Sequence, residues 1–219
     1  MNAKVYDFEF STELRQVEDV ILSVFHTVLF YRTSGKVQFR QEGSYSVGTV
    51  GYEDVDCETV DFTYVRCMCP QLEEKMRRDV RDFVEAFGRE VRSGRVSLQF
   101  YEKRKSRWPF GEDAAIWEMW RIKVDVVRAA NEKERQENSE RLSEKLAETV
   151  ASVAAAVSRA DYTPRVPNER DVGNVFETRY REVEPYLHRL VQQVGGEEAS
   201  TMSGVTGVFK KIFREALTY

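Results

Sequence analysis

The segment that most constrains the fold is an apolar helix predicted near the N-terminus. From Ser11 to Tyr31, apolar residues recur at helical spacing, at Leu14, Val17, Ile21, Val24, Phe25 and Val28. The second half adds Val20, Leu22, Leu29 and Phe30, so it is apolar on most sides. Such a helix must be covered by more than one layer of structure. We therefore expect a central helix, with Ser11 as its N-cap, inside a multilayered fold.

Alternating apolar and polar residues predict several strands around this helix. A first strand is expected at residues 4–10, and three short ones at 36–40, 44–50 and 58–67. A long hairpin is predicted from residues 96–101 and 117–127. Its inward faces carry Val96, Leu98, Phe100, Trp120, Ile122, Val124 and Val126. One buried face and one wet face per strand favour an antiparallel sheet.

Two more helices complete the predicted core. Pro70 opens one that runs to about Arg92 and carries a single apolar stripe. The other runs from about Asn131 to Arg159, and residues 132–141 within it include no apolar side chain. That polar half must be solvated or held by a partner. Strands and helices thus follow one another in a mixed order along the chain, which is compatible with the α+β architecture that the family resemblance described below implies.

The C-terminal part of the chain, from residue 160 onward, reads as less regular. It holds a short apolar piece at 186–194 and an amphipathic segment at 208–217. Its last apolar residues are Val208, Phe209, Ile212, Phe213, Ala216 and Leu217. No internal repeat separates it as a second domain, so we expect one large domain.

The connection of the long hairpin carries the clearest candidate for a contact site. Residues 102–116 form a connection of 15 residues, where ~2–5 are common, and its tip reads KRKSRWPF at 103–110. Pro109 favours extended backbone, so Trp108 and Phe110 should project to the same side. Arg107 and three other basic residues precede them. Long loops on rigid strands often carry function.

Four interpretations of this tip are open from the residues alone. Trp108 and Phe110 could plug the end of the sheet as satellite core, or act as a hot spot for a protein partner. They could also insert at a membrane surface, with Lys103, Arg104 and the neighbouring basic residues on anionic lipid. Stacking of single-stranded nucleic acid is the fourth, and the net charge of −4 disfavours it.

No constellation of residues indicates catalysis or metal binding. The glycines of segment 43–51 lack the Lys and Ser/Thr of a phosphate loop, and the acidic cluster at 53–61 matches no calcium loop. Cys67 and Cys69 lack the further ligands of a zinc site. His26 is interpreted as a hydrogen-bonded core histidine rather than a base. We expect no enzymatic activity, no cofactor and no metal.

Targeting signals and cysteine usage bear on localisation. The N-terminus shows no signal-peptide run, and no segment has the ~20 apolar residues of a membrane span. Three cysteines, at positions 57, 67 and 69, form an odd set that suits a reducing compartment. We expect a cytoplasmic protein.

Several long motifs resemble the autophagy-related protein 101 family. They are EGSYSVGTVG at 42–51, DVDC at 54–57, DFTYVR at 61–66 and KRKSRWPF at 103–110. The order of elements agrees, from RQVE at 15–18 to PYL at 185–187. The resemblance covers essentially the whole chain.

This resemblance implies a single HORMA domain over residues 1–219, in which three helices pack on an antiparallel sheet. Residues 160–219 would be its C-terminal segment, adding strands at the sheet edges. The implied function is that of a non-catalytic adaptor in autophagy initiation. Its partner would be the HORMA domain of autophagy-related protein 13, inside the autophagy-initiating kinase complex, with this subunit in an open-like state.

The resemblance also assigns a role to the tip of the hairpin. Trp108 and Phe110 match the family's WF finger, which is implicated in recruiting downstream factors to the phagophore. With Arg107 and Pro109, they are the expected partner-binding residues. The implied location is the cytoplasm, with recruitment to the phagophore assembly site. Membrane contact by the same finger is the alternative, and nucleic acid is not an expected partner.

Overall fold

The computed structural model describes residues 3–40, 44–87, 91–105, 112–159 and 162–195. It confirms the predicted α+β class, whereas the HORMA assignment stays an expectation from the resemblance. The α-helices and strands in the described ranges are β1 (Lys4–Thr12), α1 (Val17–Tyr31), β2 (Thr33–Gly35), β3 (Val37–Phe39), β4 (Tyr45–Val47), β5 (Tyr52–Asp56), β6 (Thr63–Cys67), α2 (Pro70–Glu85), β7 (Ser93–Lys105), β8 (Glu112–Val126), α3 (Glu132–Val157), β9 (Val183–Pro185) and β10 (His188–Val194).

Helix α1 is the centre of the core, as its sequence predicts. Eleven of its residues are buried, and it packs against α2, α3 and β6. Its start differs from the expectation, because Ser11 lies in β1 opposite Asp125. The chain instead enters through a 3-10 turn at Leu14–Gln16, where Glu13 and Gln16 form a capping box. The pairing of β1 with β8 therefore outweighs the preference of Ser11 for a helix N-cap position.

The main sheet has four strands in the order β1-β8-β7-β10. Both β8 and β10 pair antiparallel with β7, while β1 joins β8 in parallel. The predicted inward faces are confirmed, and all of the following are fully buried: Val96, Leu98, Phe100, Trp120, Ile122 and Val124. This sheet, α1 and the apolar stripes of α2 and α3 share one hydrophobic core.

The C-terminal segment supplies two strands to the body of the fold. β9 pairs with β2, and β10 lines the edge of the main sheet along β7. Tyr186 ties the two regions together, because its backbone N–H donates to the Arg32 carbonyl at 3.0 Å. Residues 162–195 are thus integrated into the fold rather than appended to it.

Three predicted boundaries are wrong. The strand expected at 58–67 begins only at Thr63, the first residue of β6. Helix α2 ends at Glu85 and not at about Arg92, before Gly88, a residue type that terminates helices. The hairpin connection is not a 15-residue loop, because β7 continues to Lys105 and β8 starts at Glu112. Charged residues continue the antiparallel ladder there, so the alternation of apolar residues stops before the strands do.

Candidate interaction surfaces

The distal parts of β7 and β8 form a two-stranded ribbon, here called the ribbon, of residues 101–105 and 112–116. β10 pairs with β7 only as far as Phe100, and β1 pairs with β8 only from Glu118 onward. Beyond these points, within the described ranges, the two strands pair only with each other. A register shift between Phe100 and Tyr101 marks the transition. The ribbon therefore extends past the four-stranded sheet.

A buried ion pair anchors the base of the ribbon to α1. Glu118 is 2% exposed and accepts two hydrogen bonds from the Arg32 guanidinium, at 2.9 and 2.8 Å. The Trp120 indole N–H donates a third, at 2.6 Å. Arg32 follows α1 directly, so the end of the central helix is joined to the strand that leads into the ribbon. Three donors on one carboxylate offset much of its desolvation cost.

The C-terminal segment fixes the other side of the same base. Tyr101 donates its backbone N–H to the Leu187 carbonyl at 3.0 Å, and the Arg189 guanidinium lies 5.5 Å from the Tyr101 ring centroid. Trp117 packs edge-on against Tyr186, with ring centroids 5.2 Å apart. Both strands are thus held by packing and by hydrogen bonds where the ribbon begins.

Arg107, Trp108, Pro109 and Phe110 lie outside the described residues. Their partner-binding role stays a prediction, as do the alternatives of core plug and membrane anchor. The charges of the described part of the ribbon are more balanced than the sequence run KRK indicates. Arg104 donates to the Glu102 carboxylate at 2.8 Å, and it stands in register with Asp113.

A second surface, here called the aromatic patch, consists of Phe30, Tyr31 and Tyr52. Tyr31 and Tyr52 are 42% and 64% exposed. The Phe30 ring joins them, with its centroid 5.1 Å from that of Tyr31 and 5.9 Å from that of Tyr52. Clustered exposed apolar side chains of this size indicate a contact surface.

The rim of the aromatic patch is mainly acidic. Glu53, Asp54 and Asp56 follow Tyr52 along β5 and are exposed. Arg66 on β6 pairs with Glu53 at 2.9 Å, which leaves two of the three carboxylates without a basic partner in the described ranges. An apolar centre with a charged rim is the usual anatomy of a protein interface. The acidic rim favours a partner with basic residues around its own apolar centre.

Sequence reasoning missed the aromatic patch. Phe30 and Tyr31 belong to the predicted apolar helix, and Tyr52 is isolated from them in the sequence. The pairing of β5 with β6 and the end of α1 bring them together. The one signal in the sequence was Tyr31, a residue with a polar hydroxyl at the end of the predicted apolar helix.

Four histidine and cysteine side chains packed in or against the described core are kept in uncharged forms. Burial lowers the pKa of His26 to about 3, and the ring stacks on Tyr64 with centroids 5.8 Å apart. Burial also lowers the pKa of His188 to about 4 and raises the pKa of both Cys57 and Cys67 to about 11. Such groups are poor bases and nucleophiles at neutral pH.

Metal-ligand clusters and membrane-spanning helices are both absent from the described residues. Within these ranges, no group of three or more His, Cys, Asp or Glu side chains is placed to hold a metal ion. None of the helices in the described part is long and apolar enough to cross a membrane.

Comparisons with known proteins agree on one family. The family model described as Autophagy-related protein 101 matches residues 9–170. Autophagy-related protein 101 of Mus musculus is 42% identical over 219 residues, and that of Xenopus tropicalis is 40% identical, each covering 99% of both chains. The protein of the same name from Arabidopsis thaliana is 24% identical over 132 residues, which is 58% of this chain and 55% of the plant protein.

Proposed function

Since this chain belongs to the autophagy-related protein 101 family, we propose that it is a non-catalytic adaptor in autophagy initiation. In this role it forms a single HORMA domain over residues 1–219, pairs with the HORMA domain of autophagy-related protein 13, and presents the Trp-Pro-Phe tip to downstream factors. It acts in the cytoplasm, within the autophagy-initiating kinase complex, and is recruited to the phagophore assembly site.

The observation that carries this proposal is the ribbon with its fixed base. Residues 101–105 and 112–116 extend beyond the neighbouring strands of the sheet, and the Arg32–Glu118 pair and Tyr101 hold their base. Side chains at the end of a well-anchored ribbon lose little conformational freedom on binding, which favours affinity. The sequence places Trp108 and Phe110 at the end of this ribbon.

The aromatic patch is the second half of the proposal, as the docking site of the HORMA partner. Its exposed Tyr31 and Tyr52 offer an apolar centre, and its acidic rim gives charge selectivity. An adaptor needs two separate contact surfaces, one to join its complex and one to recruit. The ribbon is built from β7 and β8 and the aromatic patch from α1 and β5, so the two proposed contacts use different residues.

The charge of the tip supports a protein ligand over a membrane. Residues 101–116 contain four basic and three acidic side chains, and Arg104 is paired with Glu102. A net charge near +1 gives weak attraction to anionic lipid, since each unneutralised basic residue contributes ~1 kcal/mol there. Two apolar anchors flanked by nearly equal numbers of basic and acidic residues suit a pocket on a protein better than a membrane surface.

The double variant Trp108→Ala/Phe110→Ala tests recruitment by the tip. We expect autophagosome formation, counted in cells that lack the endogenous protein, to fall close to the level without rescue. Affinity for the partner HORMA domain, measured by calorimetry, should stay within about twofold of the unchanged chain. The reason is that the tip is not part of the aromatic patch. Truncating each aromatic anchor to alanine costs ~1 to 4 kcal/mol of binding free energy at a protein hot spot.

Ser106→Ala is the matched control for this variant, because it alters the tip and keeps both aromatic rings. Full rescue by Trp108→Ala/Phe110→Ala would reject the recruitment role. A blue shift of tryptophan fluorescence with anionic vesicles, absent in the double variant, would favour the membrane alternative. Trp117 and Trp120 remain as internal references in both chains.

The double variant Tyr31→Ala/Tyr52→Ala tests the aromatic patch. We expect its affinity for the HORMA domain of autophagy-related protein 13 to fall ~10- to 100-fold, because two exposed anchors are truncated. Val5→Ala is the control, since Val5 is 41% exposed on β1 and lies outside the patch. Unchanged affinity, with an unchanged melting temperature of the free chain, would place the partner elsewhere.

A further inference from the structure

One open cleft in the described structure is basic, although the chain as a whole is acidic. Its volume is about 400 Å³, and here it is called the basic cleft. The first turn after β1, the end of β8, the first turn of α3 and the residues before β7 surround it. Its lining includes Arg15, Arg92, Arg128 and Arg135, with Leu14 and Val91 on its apolar side.

Two of the four arginines are neutralised by the protein itself. Glu13 accepts hydrogen bonds from Arg15 at 2.8 Å and from Arg135 at 3.2 Å, and the pKa of Glu13 is lowered, first by its hydrogen bond to Arg15. Arg92 and Arg128 are exposed and form no ion pair with any residue in the described ranges. The basic cleft therefore fits a ligand that combines negative charge with an apolar part.

The last described residue of the chain lies beside this cleft. Its last described residue, Gly195, has a φ of 70° and donates its backbone N–H to the Ser93 carbonyl at 3.3 Å. A Cβ atom at Gly195 would lie 3.5 Å from the Val91 side chain, which lines the cleft. The next residues are Gly196, Glu197 and Glu198. An acidic pair thus follows directly where the chain leaves the sheet beside Arg92.

We propose that the C-terminal tail, residues 196–219, folds back over the basic cleft of its own chain. Glu197 and Glu198 bind the unpaired Arg92 and Arg128. Extended chain spans ~3.3 Å per residue, so Glu198 reaches ~10 Å from Gly195, about the width of a cleft of this volume.

The apolar residues of the tail match the apolar side of the cleft. Positions 208, 209, 212, 213, 216 and 217 repeat at helical spacing and share one half of the helical circumference. Lys210, Lys211 and Arg214 occupy the other half. Docking of the apolar half on Leu14 and Val91 therefore turns these basic residues away from the arginines. The tail is electrostatically compatible with the cleft in this orientation.

Hydrogen exchange on the full-length chain without any partner tests this proposal. Two variants are compared with the unchanged protein, Glu197→Lys/Glu198→Lys and Arg92→Glu/Arg128→Glu. We expect amides of residues 13–15 and 126–135 to exchange ~5- to 10-fold faster in either variant, because each breaks the contact. Combining all four substitutions reverses both sides of the charge pair and should restore slow exchange.

Arg95→Glu is the control, because Arg95 is exposed on β7, three residues after Arg92, but does not line the cleft. Exchange that is unchanged in both variants, or that the combined variant fails to restore, would overturn the proposal. Protection that appears only at high protein concentration would also overturn it, since the cleft would then hold the tail of a second copy. The test uses neither the tip nor the aromatic patch, so its failure leaves the adaptor role standing.

Discussion

Replacing Arg32 by methionine is expected to lower the free energy of unfolding by about 3 to 5 kcal/mol. The variant leaves the Glu118 carboxylate, 2% exposed, with the Trp120 indole as its remaining side-chain donor. An ionised carboxylate without a cationic partner is costly inside a core. Methionine keeps the length and apolar contacts of the Arg32 stem. Urea unfolding, followed by far-UV circular dichroism at pH 7, measures the change.

The double variant Arg32→Met/Glu118→Gln separates lost charge pairing from lost packing. The glutamine side chain introduced in this variant would be neutral and still able to accept from Trp120, so most of the stability should return. Arg121→Ala is the matched surface control, because Arg121 and Asp7 form an equally short pair at 2.6 Å but are 36% and 59% exposed. That control should cost no more than ~1 kcal/mol. A loss for Arg32→Met no larger than for Arg121→Ala would show that the pair is not a structural anchor.

The elements set by local pattern were predictable from the sequence. The apolar circumference of α1 and the alternation in β7 and β8 place their buried residues without reference to the rest of the chain. Pairing across long sequence distances was not predictable. The parallel joining of β1 to β8 and the Arg32–Glu118 contact, 86 residues apart, follow from how the elements pack. A charged residue in isolation gives no sign of a distant buried partner.

The candidate site likewise has one part that the sequence predicts and one part that it does not. Trp108 and Phe110 stand out because two aromatics flank a proline inside a basic run, which is a local pattern. The aromatic patch does not, because its residues come from α1 and β5, which are far apart in the sequence. The length of the ribbon was also hidden, since Lys103 and Arg104 continue a strand in which neither face is fully buried. Alternation marks strands only where one face meets a core.

Acid is expected to destabilise this protein below about pH 6.5, through the buried His26 and the half-buried His188. The folded state holds His26 neutral, because burial and then the nearby Arg66 lower its pKa to about 3. The unfolded chain binds a proton near the usual pKa of ~6.5. His26 therefore stabilises the fold fully above that pH, and this contribution is lost as the pH falls from 6.5 toward 3.

Between pH 7 and pH 5 the loss from His26 should be about 2 kcal/mol. His188, whose pKa is lowered to about 4 by burial, adds a loss of the same sign in the same window. The paired carboxylates Glu13, Glu73 and Glu177 have lowered pKa values, so their contribution is lost only at more acidic pH. Urea unfolding at half-unit steps from pH 8 to pH 5 measures the slope of stability against pH.

His26→Phe identifies the group responsible, because it keeps a ring to stack on Tyr64 and removes the titrating nitrogen. Its slope between pH 6 and pH 5 should be smaller than that of the unchanged chain by about 1.4 kcal/mol per pH unit, the value for one proton. Toward pH 8 the two slopes should converge, because the unfolded chain, with a pKa of ~6.5, is then almost fully deprotonated at this position. A variant that retains the full acid slope would show that His26 is protonated in the folded protein. The ring would then need an acidic partner, and Glu73 is the nearby carboxylate that could provide it.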